Sequence, residues 1–127
     1  REARKKVPKT VPMHDVIHQV GHASSLVAGM ATGDLDLIAR SINDVIVEPA
    51  RAPLVPFLKD AERAAMEAGA FASFLGGSGP CIAAFYDKSR ADGTCIARAV
   101  QKFYEGHGVE CFCWVTSWGE GCRRVEE

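Results

Sequence analysis

The sequence contains no apolar run near the roughly 20 residues that a bilayer-spanning helix requires, and its basic start (Arg1, Arg4, Lys5, Lys6, Lys9) does not lead into a signal-peptide apolar stretch. It has almost no net charge, −1 at neutral pH, so electrostatics gives no reason to expect nucleic acid or an anionic membrane as a partner. No C-x-x-C pair occurs, and the five cysteines are an odd number, which argues against both a disulfide framework and a zinc ribbon. The expectation is therefore reduced cysteines in a cytoplasmic protein, with Cys111 and Cys113 as small buried hydrophobes on one face of a strand. Also missing are a G-x-x-x-x-G-K-[ST] phosphate loop, a nucleophile elbow and an H-E-x-x-H pair. No acidic pair is placed to hold magnesium or move a proton, so a complete catalytic site cannot be assembled from these residues.

What is present is an ordinary globular composition, 47% hydrophobic over 127 residues, enough for one domain with its own core. After a leading segment broken by Pro8 and Pro12, the residues Val16, Val20, Ala23, Val27 and Met30 recur at helical spacing, predicting a helix over 12–31. Thr32-Gly33 should end it, and Asp34 should cap a second helix running through Leu35, Ile38, Ile42 and Val45 to a stop near Glu48, before Pro49. A third helix is expected over 54–68, closed by Gly69. The pattern then changes to short apolar runs at 71–75 and 81–86, joined by Gly-Gly-Ser-Gly-Pro, which reads as strand, turn, strand. Ser89 is positioned to cap a fourth helix through Ile96, Ala99, Val100 and Phe103. Strict alternation over 109–116, then a Gly119-Glu120-Gly121 turn, predicts two more strands, the last at 122–125. The sum is an α+β fold with an antiparallel sheet of about four strands and helices on one face.

Three features could carry chemistry. Gly76, Gly77, Ser78 and Gly79 precede Pro80, and three glycines in four positions let a backbone approach an anion closely; a plain tight turn is the alternative. His14, His18 and His22 share one helical face opposite the valine stripe. Two imidazoles four apart can reach one metal ion, but no further ligand sits at a suitable spacing, and a polar face is the simpler reading. Arg4 and Arg51 lie at non-helical junctions, where a guanidinium fork could grip a carboxylate or simply be solvated.

Taken together, these segments resemble GHMP kinases. The run Gly76-Gly77-Ser78-Gly79-Pro80-Cys81 is similar to the third motif of that superfamily, S-G-S-G-P-[ST]. Asp44-Val45-Ile46-Val47-Glu48-Pro49-Ala50-Arg51 is similar to the D-x-I-x-E-P-Y-R signature of its homoserine kinase branch. Ala3-Arg4 with Val7-Pro8, His14-Asp15-Val16 and Ala28-Gly29-Met30-Ala31-Thr32-Gly33-Asp34 follow the same order and intervals from Arg4 to about Asp87, and more weakly to Val125. The resemblance implies that residues 1–127 form a GHMP kinase C-terminal domain, ferredoxin-like, whose N-terminal ATP-binding domain lies outside this chain. It implies ATP and Mg²⁺ as cofactors held mainly by that other half, L-homoserine as substrate, the N-terminal domain as partner, and a homodimer, since relatives are often dimers.

By position, Arg4 and Arg51 match residues that hold the substrate's amino-acid end, Gln19 and His22 fall on the helix facing the substrate cleft, and residues 76–79 support the phosphate loop of the missing half. The departures are specific. Gly76 and Cys81 stand where hydroxyl residues are usual, Gln19 and His22 where Asn and Arg are common, and Ala50 where Tyr is common. The family's substrate-contacting Thr, four residues before the first arginine, would fall one place before Arg1. Two rival readings stay open: another GHMP kinase of mevalonate type, and a non-catalytic amino-acid-binding regulatory module.

Overall fold

The structure, a computed structural model, describes residues 2–119 and 121. Its elements run α1 (Glu2–Lys6), α2 (Met13–Thr32), α3 (Leu35–Ser41), α4 (Val47–Arg51), a 3₁₀ turn (Ala52–Leu54), α5 (Leu58–Glu67), β1 (Ala72–Leu75), β2 (Ile82–Phe85) and α6 (Gly93–Gly106). This is an α+β arrangement. The first helix boundary agrees with its sequence signals: Gly33, at φ 73°, closes α2 in the left-handed region open to glycine, and the Asp34 carboxylate accepts from Leu37 N (2.9 Å) to cap α3.

The second helix is shorter than its apolar spacing suggests. It stops at Ser41, and a separate turn of helix, α4, begins at Val47 with Pro49 inside it. Proline is tolerated there because the first N–H groups of a helix have no intrahelical acceptor to lose. Likewise Ser89 does not cap α6. The Ser89 amide and hydroxyl both donate to Asp87 Oδ1 (2.8 Å each) in a turn after β2, and Asp92 caps the helix through Thr94 N (2.8 Å).

The two strands pair antiparallel with Ala72 opposite Phe85 and Leu75 opposite Ile82. Alternation puts Leu75, Ile82 and Ala84 on the face that meets the helices. There Ala61 and Ala65 of α5 pack with Ile96, Val100 and Tyr104 of α6, while Val55, Leu58 and Leu75 form a second cluster beneath the turn between the strands. The other face carries Phe74 and Phe85, with Trp118 laid against Phe85 at 4.6 Å between ring centroids.

Among the described residues the sheet has two strands, not the expected four. Residues 109–116 keep part of their alternation: Val109, Cys111 and Cys113 pack against the core while Phe112 and Trp114 face out. Yet they form no ladder with any described residue, because alternation fixes which side chains turn inward but does not supply a neighbouring strand's hydrogen bonds. Val115, expected on the inward face, is exposed. The expected strand at 122–125 lies outside the described residues.

Helix α2 packs on α3 at a close approach. A Cβ added to Gly29 would come within 2.9 Å of Ile38 Cγ1 and 3.0 Å of the Ile38 backbone nitrogen, so glycine is what permits the contact. The opposite face has no partner among the described residues. Met13, Ile17, Val20 and Val27 are 72, 66, 62 and 67% exposed, and Val16 and Met30 extend the same stripe. Six large apolar side chains in line on one 20-residue helix are more than the scattered surface hydrophobics of a self-contained domain. No helix among the described residues is long and apolar enough to cross a membrane.

Candidate functional site

The glycine loop closes as a tight turn. Gly76 N donates to Cys81 O (2.7 Å), extending the ladder by one step, and Gly79 N donates to Gly76 O (3.3 Å). Gly77 and Gly79 take φ values of 63° and 77°, which side-chain-bearing residues rarely adopt. A Cβ at Gly79 would also meet Val55 Cγ2 at 3.2 Å and Leu75 Cδ1 at 3.3 Å. Both special glycines are therefore needed for the loop's shape.

Arg51 connects this loop to the start of the chain. Its Nη1 donates to Gly77 O (2.9 Å) and its Nε to Ala3 O (3.3 Å), the carbonyl just before Arg4. Three segments singled out separately in the sequence thus meet at one guanidinium. Neither arginine sits at the non-helical junction expected, since Arg51 is the last residue of α4 and Arg4 lies on α1, exposed and with no partner found among the described residues. A guanidinium carries five N–H donors. Two of those on Arg51 are used, and the rest of the fork stays free to receive a carboxylate, among the described residues.

Arg51 is placed by a network that spacing alone does not reveal. Asp44 stands before α4 and accepts from three successive amides: Ile46 N and Val47 N at Oδ1 (2.8 Å each) and Glu48 N at Oδ2 (3.0 Å). Gln19, on α2, donates Nε2 to Asp44 Oδ1 (3.0 Å), and its Oε1 lies 3.4 Å from Val45 N. The Gln19 amide therefore ties α2 to the start of α4. Glu48, only 8% exposed, accepts Leu75 N at Oε2 (2.9 Å) and pairs through Oε1 with the Lys59 ammonium, which also holds Glu62 Oε2 (2.9 Å).

Burial opposes the Lys59 charge, but hydrogen bonds to the Glu48 and Glu62 carboxylates outweigh it and raise its pKa above the ordinary lysine value. Burial pushes the Glu62 carboxyl above its usual range despite Lys59, with repulsion from Glu48 adding to the rise. Asp44, Glu48 and Lys59 were not singled out as individual site residues. The available signal was the D-x-I-x-E-P-x-R pattern, in which Asp44, Glu48 and Arg51 hold fixed intervals.

The histidine face turns toward the end of α3. His22 Nδ1 donates to Ser41 O (3.2 Å), His18 Nε2 accepts from Asn43 Nδ2 (3.4 Å), and the two rings stack at 3.9 Å. His14 is exposed beside Asp15 (3.1 Å). His22 also lines a shallow hollow of about 180 Å³ with Ser25, Leu37, Arg40 and Ser41, a hollow that does not include Arg51. Ser78 is exposed at the tip of the glycine loop. Among the described residues no three His, Cys, Asp or Glu side chains gather as metal ligands.

The cysteines resolved here are free thiols in two settings. Cys81 and Cys95 are exposed, whereas Cys111 and Cys113 are half-buried with their sulfurs 3.8 Å apart. Burial, with a hydrogen bond to Cys111, pushes the Cys113 thiol up to about 11. At pH 8 Cys113 stays a thiol in the folded chain, so iodoacetamide should label Cys81 and Cys95 well before it. Peptide mass spectrometry over a labelling time course checks the order, and equal rates at Cys113 and Cys95 would contradict the packing described.

Residues 26–106, more than half of the chain, match the family model described as "GHMP kinases C terminal". The chain belongs to the GHMP kinase family. Over 122 residues this GHMP domain is 36% identical to a homoserine kinase of Pyrococcus furiosus, covering 96% of the chain and 40% of that relative. Over 113 residues it is 41% identical to a homoserine kinase of Chloroherpeton thalassium, covering 88% of the chain and 35% of that relative. Among solved structures, homoserine kinase from Cytophaga hutchinsonii superposes with a TM-score of 0.77 at 37% identity, covering 84% of this chain and 33% of that one. A putative homoserine kinase from Listeria monocytogenes, at 20% identity and TM-score 0.54, supports the fold alone. The GHMP domain thus spans 40% or less of the length of these relatives.

Proposed function

We propose that this GHMP domain is the substrate-binding C-terminal half of a homoserine kinase, which transfers the γ-phosphoryl group of ATP to the hydroxyl of L-homoserine in the cytoplasmic route to threonine. The observation that carries the reading is the Arg51 guanidinium, fixed between the leading segment and the glycine loop with part of its fork left for a carboxylate. Arg4, one residue from the Ala3 carbonyl that Arg51 holds, is the second cation for the amino-acid end. Gln19 and His22 shape the neighbouring helix face, and Gly76, Gly77, Ser78 and Gly79 support the phosphate loop of the other half.

The exposed stripe Met13, Val16, Ile17, Val20, Val27 and Met30 is read as the surface covered by that N-terminal half. Two facts favour this occupant: the relatives carry more than half their length outside the matched region, and the stripe contains no charge that burial would penalise. Among the described residues no three His, Cys, Asp or Glu side chains gather, so a metal cage made by this part of the chain alone finds no support. ATP and Mg²⁺ are assigned to the N-terminal half, and catalysis depends on its supplying the nucleotide cradle.

Equilibrium titration of the full-length protein with L-homoserine and with mevalonate tests the substrate. Saturable homoserine binding with little response to mevalonate supports the reading; the reverse order supports a mevalonate-type kinase. Tight amino-acid binding by the 127-residue chain alone would instead favour a regulatory module.

A further inference from the structure

Two side chains three residues apart on α4 grip the glycine loop from either side of Gly76. Glu48 Oε2 takes the amide of Leu75 (2.9 Å), and Arg51 Nη1 takes hold of the carbonyl of Gly77 (2.9 Å). Residues three apart on a helix lie side by side, so both bonds reach the loop from one face of α4. That helix is itself fixed at its start by the Asp44 carboxylate, which Gln19 holds in turn. Leu75 N is buried, so without Glu48 it would lose its acceptor and have no water to replace it.

We propose that Glu48 is a positioning residue: by holding Leu75 it fixes the spacing between the glycine loop and the Arg51 guanidinium, and so couples the grip on a substrate carboxylate to the loop's shape. Lys59 neutralises the buried carboxylate but does not touch the loop. What matters in Glu48 is then its reach to Leu75, more than its charge. This assignment rests on the homoserine kinase reading for its kinetic consequence and on geometry alone for the structural one.

The test compares two near-isosteric changes in the full-length protein. Glu48→Gln keeps an oxygen for Leu75 N and removes the charge; Glu48→Asp keeps the charge and withdraws the carboxylate by one methylene. Glu48→Asp should raise KM for L-homoserine about tenfold or more, with kcat changed far less, while Glu48→Gln stays within about threefold of wild type. A Glu48→Gln effect as large as that of Glu48→Asp would overturn the assignment.

A second readout needs no turnover. In the full-length protein without substrates, the Leu75 amide should exchange slowly with solvent deuterium in wild type and in Glu48→Gln, and about tenfold or more faster in Glu48→Asp. Equal protection in all three would overturn the proposal whatever the enzyme does. Absence of homoserine turnover by wild type, with the exchange pattern intact, would instead remove the kinase reading and leave the two-sided grip standing.

Discussion

Arg51→Ala in the full-length protein is expected to lower kcat/KM for L-homoserine by about 10²–10⁴-fold, with most of the loss in KM. The size follows from losing two charge-assisted hydrogen bonds to a carboxylate, each worth about 1.5–3 kcal/mol. Arg51→Lys should recover little. A lysine ammonium is a compact charge without the planar fork, and cannot span Ala3 O, Gly77 O and a carboxylate together. Steady-state kinetics with homoserine varied at saturating ATP measures the loss. A change below about threefold would remove Arg51 from the substrate site.

Asp44→Ala is expected to be the most destabilising of the single changes considered, by about 3 kcal/mol. Three amides at the start of α4 and the Gln19 side-chain amide all use this one carboxylate. Loss of an N-cap costs about 1 kcal/mol and can reach about 2, and the partly buried donors left unpaired add to it. Against the roughly 5–15 kcal/mol of a typical domain this is a large fraction. Urea unfolding of wild type and variant measures it. Asp44→Asn, which keeps one acceptor oxygen, should recover about half, and an unchanged midpoint in Asp44→Ala would contradict the capping role.

Several local signals are legible in the sequence, although Ser89 is not the helix cap it suggests, since Asp92 holds that place. Gly33 and Asp34 stop and start helices through bonds that span four or five residues, and the loop at 76–80 declares itself through glycines needed at positive φ. The roles of Asp44 and Glu48 were not legible individually, because their meaning depends on distant partners. Glu48 answers Leu75 across 27 positions and Asp44 answers Gln19 across 25. The D-x-I-x-E-P-x-R pattern could be matched by resemblance, but only the fold shows one carboxylate capping a helix and the next holding a strand end.

Residues 109–116 illustrate the converse. Their alternation correctly turns Val109, Cys111 and Cys113 toward the core, yet no neighbouring strand takes up their backbone bonds, so the sheet keeps two strands among the described residues. The valine stripe of α2 was equally visible as a stripe. Its spacing could not say that α3 would take the opposite face, through Gly29, and leave the valines open.

Homoserine-dependent ADP release, measured side by side for the full-length protein and for the 127-residue chain, tests the central claim most directly. The full-length protein should turn over L-homoserine with ATP and Mg²⁺, and the chain alone should give no release above background, because the nucleotide cradle on which phosphoryl transfer depends is assigned to the N-terminal half. Steady ATP- and homoserine-dependent ADP release by the 127-residue chain would contradict the account.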